Sequence, residues 1–371
     1  MRDLTRRSFV AFGATVAATR MLSSASAGQL LPREDLVWTD VKDWPLEGRA
    51  FAERLAPYDR LPGRAQGVVR DIVWDLSRQS AGMLVRFATN SPELRVRYRL
   101  TSDRLAMFHM PATGVSGVDL YGHDGENWRW IDVTRPTKRD VQKRFFTGRK
   151  MNKASKFQLY LPLYNGIEKL EVGTAKGAEL TPLVARGSVQ KPIVCYGTSI
   201  MQGACASRPG MAWTSIMGRE LDREVINLGL SGNGRMELEV GQFLAELEAS
   251  AFVIDCLPNM TPKQVAQRAK SLVQQLRGAH KKTPILLVED RTFTNAWFHT
   301  DRADDHRQRR QALRDAFAAL KRSGVEGIHY LAGDNLLGDD GEAATDGSHP
   351  SDLGMLRQAK VMTEALRPLL L

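Results

Sequence analysis

Apolar and polar residues alternate over many short segments in the first half of the chain. The alternation places one side of each segment in a core and the other in solvent, which is typical of β-strands. Clusters of turn-forming residues, such as Asn90-Ser91-Pro92, separate the segments. Between residues 36 and 183 we therefore predict an all-β sandwich of a jelly-roll-like kind. The clearest strands are predicted at residues 83–87, 94–100, 118–121, 128–131, 157–161 and 170–172.

The pattern changes after Lys191, where short apolar runs begin to alternate with amphipathic stretches. The apolar runs suit strands that are buried on both faces, and the amphipathic stretches have helical periodicity. Thr261 and Pro262 offer the N-cap and the first residue of one helix. Strand–helix alternation predicts a parallel sheet covered on both faces. Strands are predicted at residues 193–196, 225–228, 252–257, 285–288 and 328–331, and helices near residues 211–222, 235–249, 262–278, 303–323 and 352–370.

The first 27 residues have the pattern of an export signal. Thr5-Arg6-Arg7-Ser8 resembles the twin-arginine motif, an apolar stretch follows, and Ala25-Ser26-Ala27 offers a cleavage site. A plain charged N-terminal helix is the alternative. We predict three parts: a signal peptide (1–27), a β-sandwich domain (28–187) and a catalytic domain (188–371). The predicted destination is the periplasm or the exterior, with no membrane-spanning segment in the mature chain.

Composition and charge fit a soluble globular protein. Of the 371 residues, 43% are hydrophobic and 25% are charged. The formal net charge is +10, and part of it lies in the predicted signal. Much of the rest lies in the run 138–156. We interpret this run as a solvated polar hairpin, and the alternative is a surface that binds anionic polymers or surfaces. No nucleic-acid partner is predicted, and the oligomeric state stays open.

The three cysteines, Cys195, Cys205 and Cys256, have neither C-x-x-C nor metal-ligand spacing. We therefore predict no metal and no cofactor. A Cys205–Cys256 or Cys195–Cys205 disulfide stays open at this level.

A serine follows the first predicted strand of the parallel sheet. Ser199 lies between Gly197 and Gly203, at the carboxyl end of the strand, where open α/β sheets bind ligands. The nucleophile elbow of α/β-hydrolases is G-x-S-x-G, but Met201 stands in place of its second glycine. The spacing indicates a serine hydrolase scaffold of another kind.

Other polar residues follow the later strands of the same sheet. They are Gly232, Asn259, Asp346 and His349, and parallel strands bring their carboxyl ends to one edge, near Ser199. His349 is suited to take the proton of the serine hydroxyl, and Asp346 to hold the imidazole. The N–H groups of Ser199 and Gly232 and the side-chain amide of Asn259 then offer three donors for an oxyanion.

The blocks Gly197-Thr198-Ser199, Gly232, Asn259 and Asp346-x-x-His349 resemble the SGNH (GDSL) hydrolases over residues 190–371. The resemblance implies a flavodoxin-like, five-stranded parallel sheet, a catalytic triad of Ser199, His349 and Asp346, and an oxyanion hole of Ser199, Gly232 and Asn259. In two places the chain departs from the family pattern. Thr198 replaces the usual aspartate of the GDS triplet, and Leu257-Pro258-Asn259-Met260 replaces the usual G-x-N-D. A β-sandwich before such a domain is similar to bacterial carbohydrate acetylesterases.

We predict an exported serine esterase that removes O-acetyl groups from a carbohydrate. The alternatives are a lipase, arylesterase or thioesterase of the same family, or a glycan-binding protein with an idle hydrolase domain. Some further residues are left with two interpretations. The loop 110–117 either lines the cleft or is only flexible, and Arg208, Arg291 and His299 are interpreted first as solvated loop residues. Core or edge packing is favoured over a sugar platform for Trp128, Trp130, Tyr160 and Tyr164.

Overall fold

The computed structural model describes residues 36–149 and 153–370, so the predicted signal peptide lies outside the described residues. The described residues form one compact unit. None of the described helices is both long enough and apolar enough to cross a bilayer. The strands are β1 (Leu36–Asp40), β2 (Leu46–Glu47), β3 (Leu84–Thr89), β4 (Leu94–Leu100), β5 (Asp119–His123), β6 (Trp128–Val133), β7 (Asp140–Phe146), β8 (Ser155–Tyr160), β9 (Ile167–Ala175), β10 (Leu180–Pro182), β11 (Ile193–Gly197), β12 (Val225–Gly229), β13 (Ala251–Asp255), β14 (Ile285–Val288) and β15 (Ile328–Leu331). The α-helices are α1 (Asp71–Ser77), α2 (Ala112–Val115), α3 (Ser199–Gln202), α4 (Trp213–Glu220), α5 (Leu238–Leu244), α6 (Pro262–Ala279), α7 (Thr300–Arg322) and α8 (Asp352–Leu366).

Two antiparallel sheets make up the N-terminal region. One has the order β1-β9-β4-β7, and the other has the order β10-β3-β8-β5-β6 with β2 beside β3. Inward side chains from both sheets, such as Val96 and Val172 from the first and Phe87 and Phe157 from the second, share one hydrophobic core. The alternation of apolar and polar residues in the sequence therefore corresponds to the buried and solvent-facing sides of these strands. The predicted all-β character of the N-terminal region is confirmed as an antiparallel β-rich region.

The basic run 138–156 differs from its prediction as a solvated hairpin. Its first half is β7, which pairs with β4 in the first sheet, and its last residues begin β8, which pairs with β3 and β5 in the second sheet. Asp140 and Arg144 of β7 are exposed, whereas Phe145 is buried. The hairpin prediction was wrong because each strand takes a partner that is distant along the chain.

The C-terminal region contains a five-stranded parallel sheet with the order β12-β11-β13-β14-β15. The strands are almost wholly buried, since helices cover both faces, and two separate hydrophobic clusters fill the two sides. The capping box predicted around Thr261 and Pro262 is present at the start of α6. The predicted flavodoxin-like fold is confirmed. In register, Gly197 at the end of β11 lies beside Gly229 of β12 and Asp255 of β13.

The N-terminal region also contributes to the core of the parallel sheet. Leu61, Val73 and Trp74 pack in the same cluster as Val194 and Phe252. Arg60 is fully buried and donates to the carbonyl oxygens of Leu76 (2.6 Å), Gln79 (2.7 Å), Asn227 (3.2 Å) and Gly229 (2.6 Å). Its guanidinium therefore joins the segment around α1 to the end of β12.

All three cysteines are buried and free. Neither disulfide that the sequence left open is formed.

Candidate active site

Ser199 is the first residue of α3, directly after the end of β11. Thr198 caps the helix, and its Oγ1 accepts a hydrogen bond from the N–H of Ile200 at 3.4 Å. Gly203 ends the helix with a φ of 109°, which favours glycine. The strand, cap and short helix fix the position of the Ser199 hydroxyl at the carboxyl edge of the sheet.

The Ser199 hydroxyl and the Asp346 carboxylate lie on opposite sides of the His349 imidazole. The distance from Ser199 Oγ to His349 Nε2 is 2.8 Å, and that from His349 Nδ1 to Asp346 Oδ2 is 2.7 Å. The structure thus brings together three residues that the sequence separates by up to 150 positions. This is the order in which a base and its orienting carboxylate activate a serine.

Asp346 is held by its own turn. Its Oδ1 accepts hydrogen bonds from the backbone N–H groups of Ser348 (3.0 Å) and His349 (2.8 Å). Burial acts to raise the pKa of Asp346, but the bonds from the backbone and ring of His349 outweigh it, so the pKa lies below its usual range. The carboxylate is therefore charged at neutral pH and favours the tautomer of His349 with a proton on Nδ1.

The loop that carries Gly232 lies against the end of β11. The N–H of Leu230 donates to Gly197 O at 2.9 Å, and the side-chain amide of Asn259 donates to Asn233 O at 2.7 Å. Asn259 ends a short 3-10 helix after β13, and its amide has a second N–H. Among the described residues, the N–H groups of Ser199 and Gly232 donate to no other group of the protein. These donors are therefore available to a ligand.

Gly234, which is not among the predicted site residues, fixes this loop. Its φ is 68°, and a Cβ at this position would lie 2.0 Å from Gly197 O. Only glycine allows the loop to approach the end of β11 so closely. The run of glycines in 229–234 was the available signal.

The N-terminal region supplies two residues to the site, Tyr164 and His109. Neither was among the site residues predicted from the sequence. The Tyr164 hydroxyl contacts Ser199 O at 3.2 Å and Ser231 Oγ at 3.3 Å. The His109 ring centroid lies 5.5 Å from that of His349. Tyr164 had been assigned to packing, and His109 directly precedes the loop 110–117. No motif marks either residue, because they reach the site only through the arrangement of the two regions.

His109 and Cys205 have unusual environments beside His349. The Nδ1 of His109 is buried without a hydrogen-bond partner among the described residues. Burial lowers the pKa of His109, and the neighbouring His349 lowers it further. Burial raises the pKa of the Cys205 thiol to about 11, and this residue has a φ of 68°. Both side chains are therefore neutral near pH 7.

Two of the residues interpreted as solvated instead form ion pairs with buried carboxylates, Arg208 half-buried and Arg291 fully buried. Arg208 lies 2.9 Å from Asp119 of β5, and its guanidinium stacks on Trp130. Arg291 is fully buried and contacts both carboxylate oxygens of Asp255, at 2.8 and 2.7 Å. Their interpretation as solvated residues was wrong, because each compensates a carboxylate that the fold has buried. His299 is exposed, as expected, and precedes α7.

The loop 110–117 and the aromatic residues have structural contacts. The loop contains α2, and its Thr113 donates to Ser207 O at 2.6 Å, so it packs beside the segment that follows α3. Tyr160 is buried, Trp128 is half-buried and Trp130 is half-exposed at the edge strand β6. Packing therefore accounts for Tyr160, while Tyr164 has the additional contact to Ser199.

A serine hydrogen-bonded to an imidazole at the edge of a parallel sheet defines the class of serine-dependent acyl hydrolases. The comparisons with known proteins agree. Residues 190–367 match the model of the GDSL-like lipase/acylhydrolase family, and residues 36–180 match the model of the N-terminus of SGNH hydro-type esterases. The chain belongs to this family and is an SGNH-type ester hydrolase. No curated protein sequence matches the chain.

Several solved structures share the whole architecture. A putative GDSL-like lipase from Bacteroides ovatus is 30% identical, with 91% of this chain and 98% of that chain covered and a TM-score of 0.86. A salicylyl-acyltransferase from a tetracycline biosynthetic pathway is 19% identical, with 90% and 97% covered and a TM-score of 0.69. A family two carbohydrate esterase from Cellvibrio japonicus is 11% identical, with 91% and 98% covered and a TM-score of 0.57. The last two similarities concern the fold alone.

Proposed function

We propose that this protein is an exported serine esterase that removes O-acetyl groups from a carbohydrate. The observation that carries the proposal is the continuous hydrogen-bonded chain from Ser199 Oγ through His349 to Asp346, with distances of 2.8 and 2.7 Å. An ordered chain of this kind also favours a working enzyme over a glycan-binding protein with an idle hydrolase domain.

The first half of the reaction forms an acyl-enzyme. His349 takes the proton of the Ser199 hydroxyl as its oxygen attacks the ester carbonyl carbon. The resulting oxyanion accepts hydrogen bonds from the N–H groups of Ser199 and Gly232 and from the second amide N–H of Asn259. His349 then protonates the departing sugar oxygen, and the acetyl group stays on Ser199.

Water completes the second half of the reaction. His349 removes a proton from water as the water oxygen attacks the acetyl-serine carbonyl, and the same donors stabilise the second oxyanion. Collapse returns the proton to Ser199 and releases acetate. Asp346 stays charged throughout and stabilises the imidazolium that forms in each half.

Exposed aromatic side chains support a carbohydrate substrate. Phe108, next to His109, is 95% exposed, and Trp297 and Phe298 are 83% and 70% exposed. The loop that carries Trp297 is joined to the catalytic turn by a bond from Thr294 N–H to Gly347 O at 2.9 Å. Flat apolar rings beside a catalytic site suit the faces of sugar rings. The fold shared with carbohydrate esterases is consistent with this substrate class.

Export is supported by the sequence alone. The twin-arginine-type motif at Arg6 and Arg7, followed by an apolar stretch and Ala25-Ser26-Ala27, precedes the described residues. Acetylated polysaccharides lie outside the cytoplasm, so the proposed location and the proposed substrate agree.

Replacement of the nucleophile tests the esterase directly. We expect Ser199→Ala to reduce kcat for p-nitrophenyl acetate by about 10⁴-fold or more while circular dichroism and the unfolding midpoint stay close to those of the unchanged protein. Ser207→Ala, which removes a hydroxyl that contacts Asp352, is the matched control and should retain turnover. Wild-type turnover by Ser199→Ala would refute the proposed mechanism.

The substrate class needs a separate experiment. We expect acetyl esters to be cleaved faster than octanoyl esters, and a preference for octanoyl esters would favour the lipase alternative. Trp297→Ala should raise KM for an acetylated polysaccharide severalfold, because a sugar-stacking surface is lost, and leave KM for p-nitrophenyl acetate unchanged. Equal effects on both substrates would contradict a role in carbohydrate binding.

A further inference from the structure

Three potential metal ligands surround the edge of the catalytic site. One ligand atom each from His109, Cys205 and His349 lies within 4.8 Å of the other two. They come from three separate segments: the turn 107–110 of the N-terminal region, the turn after α3, and the catalytic turn after β15. Neither His109 nor Cys205 has a part in the acyl transfer described above.

The chemistry of this set of ligands is specific. Two imidazoles and a thiolate are ligands that zinc prefers, whereas magnesium and calcium prefer oxygen. The buried Nδ1 of His109 has no hydrogen-bond partner among the described residues, so no protein group competes with a ligand for this nitrogen. His349 already donates from Nδ1 to Asp346, the outer contact that zinc-bound histidines usually have, and this leaves Nε2 as the ligand atom.

We propose that His109, Cys205 and His349 bind a zinc ion that switches the esterase off. In this state His349 Nε2 donates its lone pair to the metal. The same atom receives the proton of Ser199 in catalysis, so it can no longer act as the base. The effect on turnover rests on the proposed function, but the binding of zinc does not.

The ligand spacing is compatible with a tetrahedral site after small movements. Zinc–nitrogen distances of about 2.0 Å and zinc–sulfur distances of about 2.3 Å place ligand atoms roughly 3.3–3.8 Å apart. The largest present spacing is below 4.8 Å, so shifts of about 1 Å are enough. His109 lies on a short turn, closed by the Met107–Met110 bridge, whose side chains can adjust without moving the parallel sheet.

The binding step is balanced without an oxidant or reductant. The Cys205 thiol loses its proton to solvent, the sulfur forms the bond to zinc, and the two neutral imidazoles each supply a lone pair. The fourth position is left for water. Removal of zinc by a chelator reverses each of these changes and restores the base.

Direct binding to the full chain is the primary test. Isothermal titration with zinc chloride should give one equivalent per chain, and Cys205→Ala should weaken this binding by at least about tenfold. Cys195→Ala is the matched control, because it removes another buried cysteine that lies in β11, and it should bind zinc as the unchanged chain does. Cobalt in place of zinc should give a thiolate-to-cobalt absorption band that Cys205→Ala lacks.

Inhibition is the second measurement. Zinc should inhibit hydrolysis of p-nitrophenyl acetate with the same concentration dependence as its binding, EDTA should restore the rate, and Cys205→Ala should resist inhibition while its metal-free rate is unchanged. Equal zinc affinity, or equal inhibition, in Cys205→Ala would overturn the proposal. Cys205-dependent binding by a chain without esterase activity would support the metal site and refute the proposed function instead.

Discussion

Thr198 shows how a single residue can keep its structural role when its type differs from the family pattern. The aspartate of the GDS triplet is replaced, yet the Thr198 hydroxyl accepts the N–H of Ile200 and caps α3. Threonine and aspartate are both good N-cap residues, so the turn that presents Ser199 is retained. The departure in the motif is therefore consistent with an intact nucleophile turn.

A test at the residue scale concerns the orientation of His349. We expect Asp346→Asn to lower kcat by about 10³–10⁴-fold, because an amide in place of the carboxylate favours the wrong imidazole tautomer and no longer stabilises the imidazolium. Steady-state kinetics with p-nitrophenyl acetate would measure this loss. Asp340→Asn is the matched control, since Asp340 lies in the same loop as Asp346 but pairs with Arg357 of α8 and is not hydrogen-bonded to His349. Similar rates for the two variants would argue against Asp346 as the orienting group.

The sequence predicted some site residues and missed others for a physical reason. Ser199 and His349 were found because they follow strands whose parallel arrangement brings their ends to one edge. His109 and Tyr164 belong to the N-terminal region, and their proximity to Ser199 depends on how the two regions pack. No local pattern encodes that packing, so these contacts required the structure.

At the scale of elements, the loop after β12 is positioned by its glycines. Gly232 and Gly234 have nearly the same φ, 67° and 68°. A Cβ on Gly234 would lie 2.0 Å from Gly197 O, whereas a Cβ on Gly232 meets nothing within 4 Å. A side chain at Gly232 would therefore add only backbone strain, whereas a side chain at Gly234 would also collide with the end of β11.

This difference gives a paired prediction. Gly232→Ala should lower the free energy of unfolding by about 1–2 kcal/mol, the cost of a left-handed residue with a side chain. Gly234→Ala should cost more and should reduce kcat by about 100-fold, because displacement of the loop removes the Gly232 N–H from the proposed oxyanion site. Urea unfolding and steady-state kinetics would measure both effects. A Gly234→Ala variant as stable and active as Gly232→Ala would contradict the close contact.

The elements also show which parts of the fold a sequence pattern can predict. The five parallel strands and the five helices predicted after Lys191 lie near their observed positions, because burial on both faces and helical periodicity are local signals. Strand β7 was interpreted as part of a hairpin, since its alternation is weak and its charges are many. Its pairing with β4, more than 40 residues away in sequence, is non-local and leaves no such signal.

At the scale of the whole molecule, Arg60 joins the two regions. Burial lowers the pKa of Arg60 to about 10, below the ordinary 12.5. At neutral pH the guanidinium is charged in both the folded and unfolded chain, so folding bears the cost of its desolvation. Hydrogen bonds to carbonyl oxygens of both regions, including Gly229 O at 2.6 Å and Gln79 O at 2.7 Å, offset this cost.

Removal of this side chain should destabilise the whole compact unit. We expect Arg60→Ala to lower the free energy of unfolding by about 3 kcal/mol or more, because several buried carbonyl oxygens lose their donors and a cavity forms. Arg64→Ala is the matched control, since Arg64 forms exposed ion pairs with Glu53 and Glu246, and it should lower the free energy of unfolding far less than Arg60→Ala does. Urea denaturation followed by tryptophan fluorescence would compare them. A small change in Arg60→Ala would refute its role in joining the regions.

The position of Arg60 and α1 beneath the parallel sheet determines how the two regions can be exchanged between relatives. A chimera joined near residues 184–191 would replace Leu61, Val73 and Trp74 together with the β-rich region, and the recipient sheet would receive side chains shaped for another surface. A chimera that keeps residues 58–79 together with the parallel sheet of the same protein would preserve the packing between this segment and the sheet. Exchange of the β-rich region between members of this family should therefore succeed at internal junctions on either side of this segment.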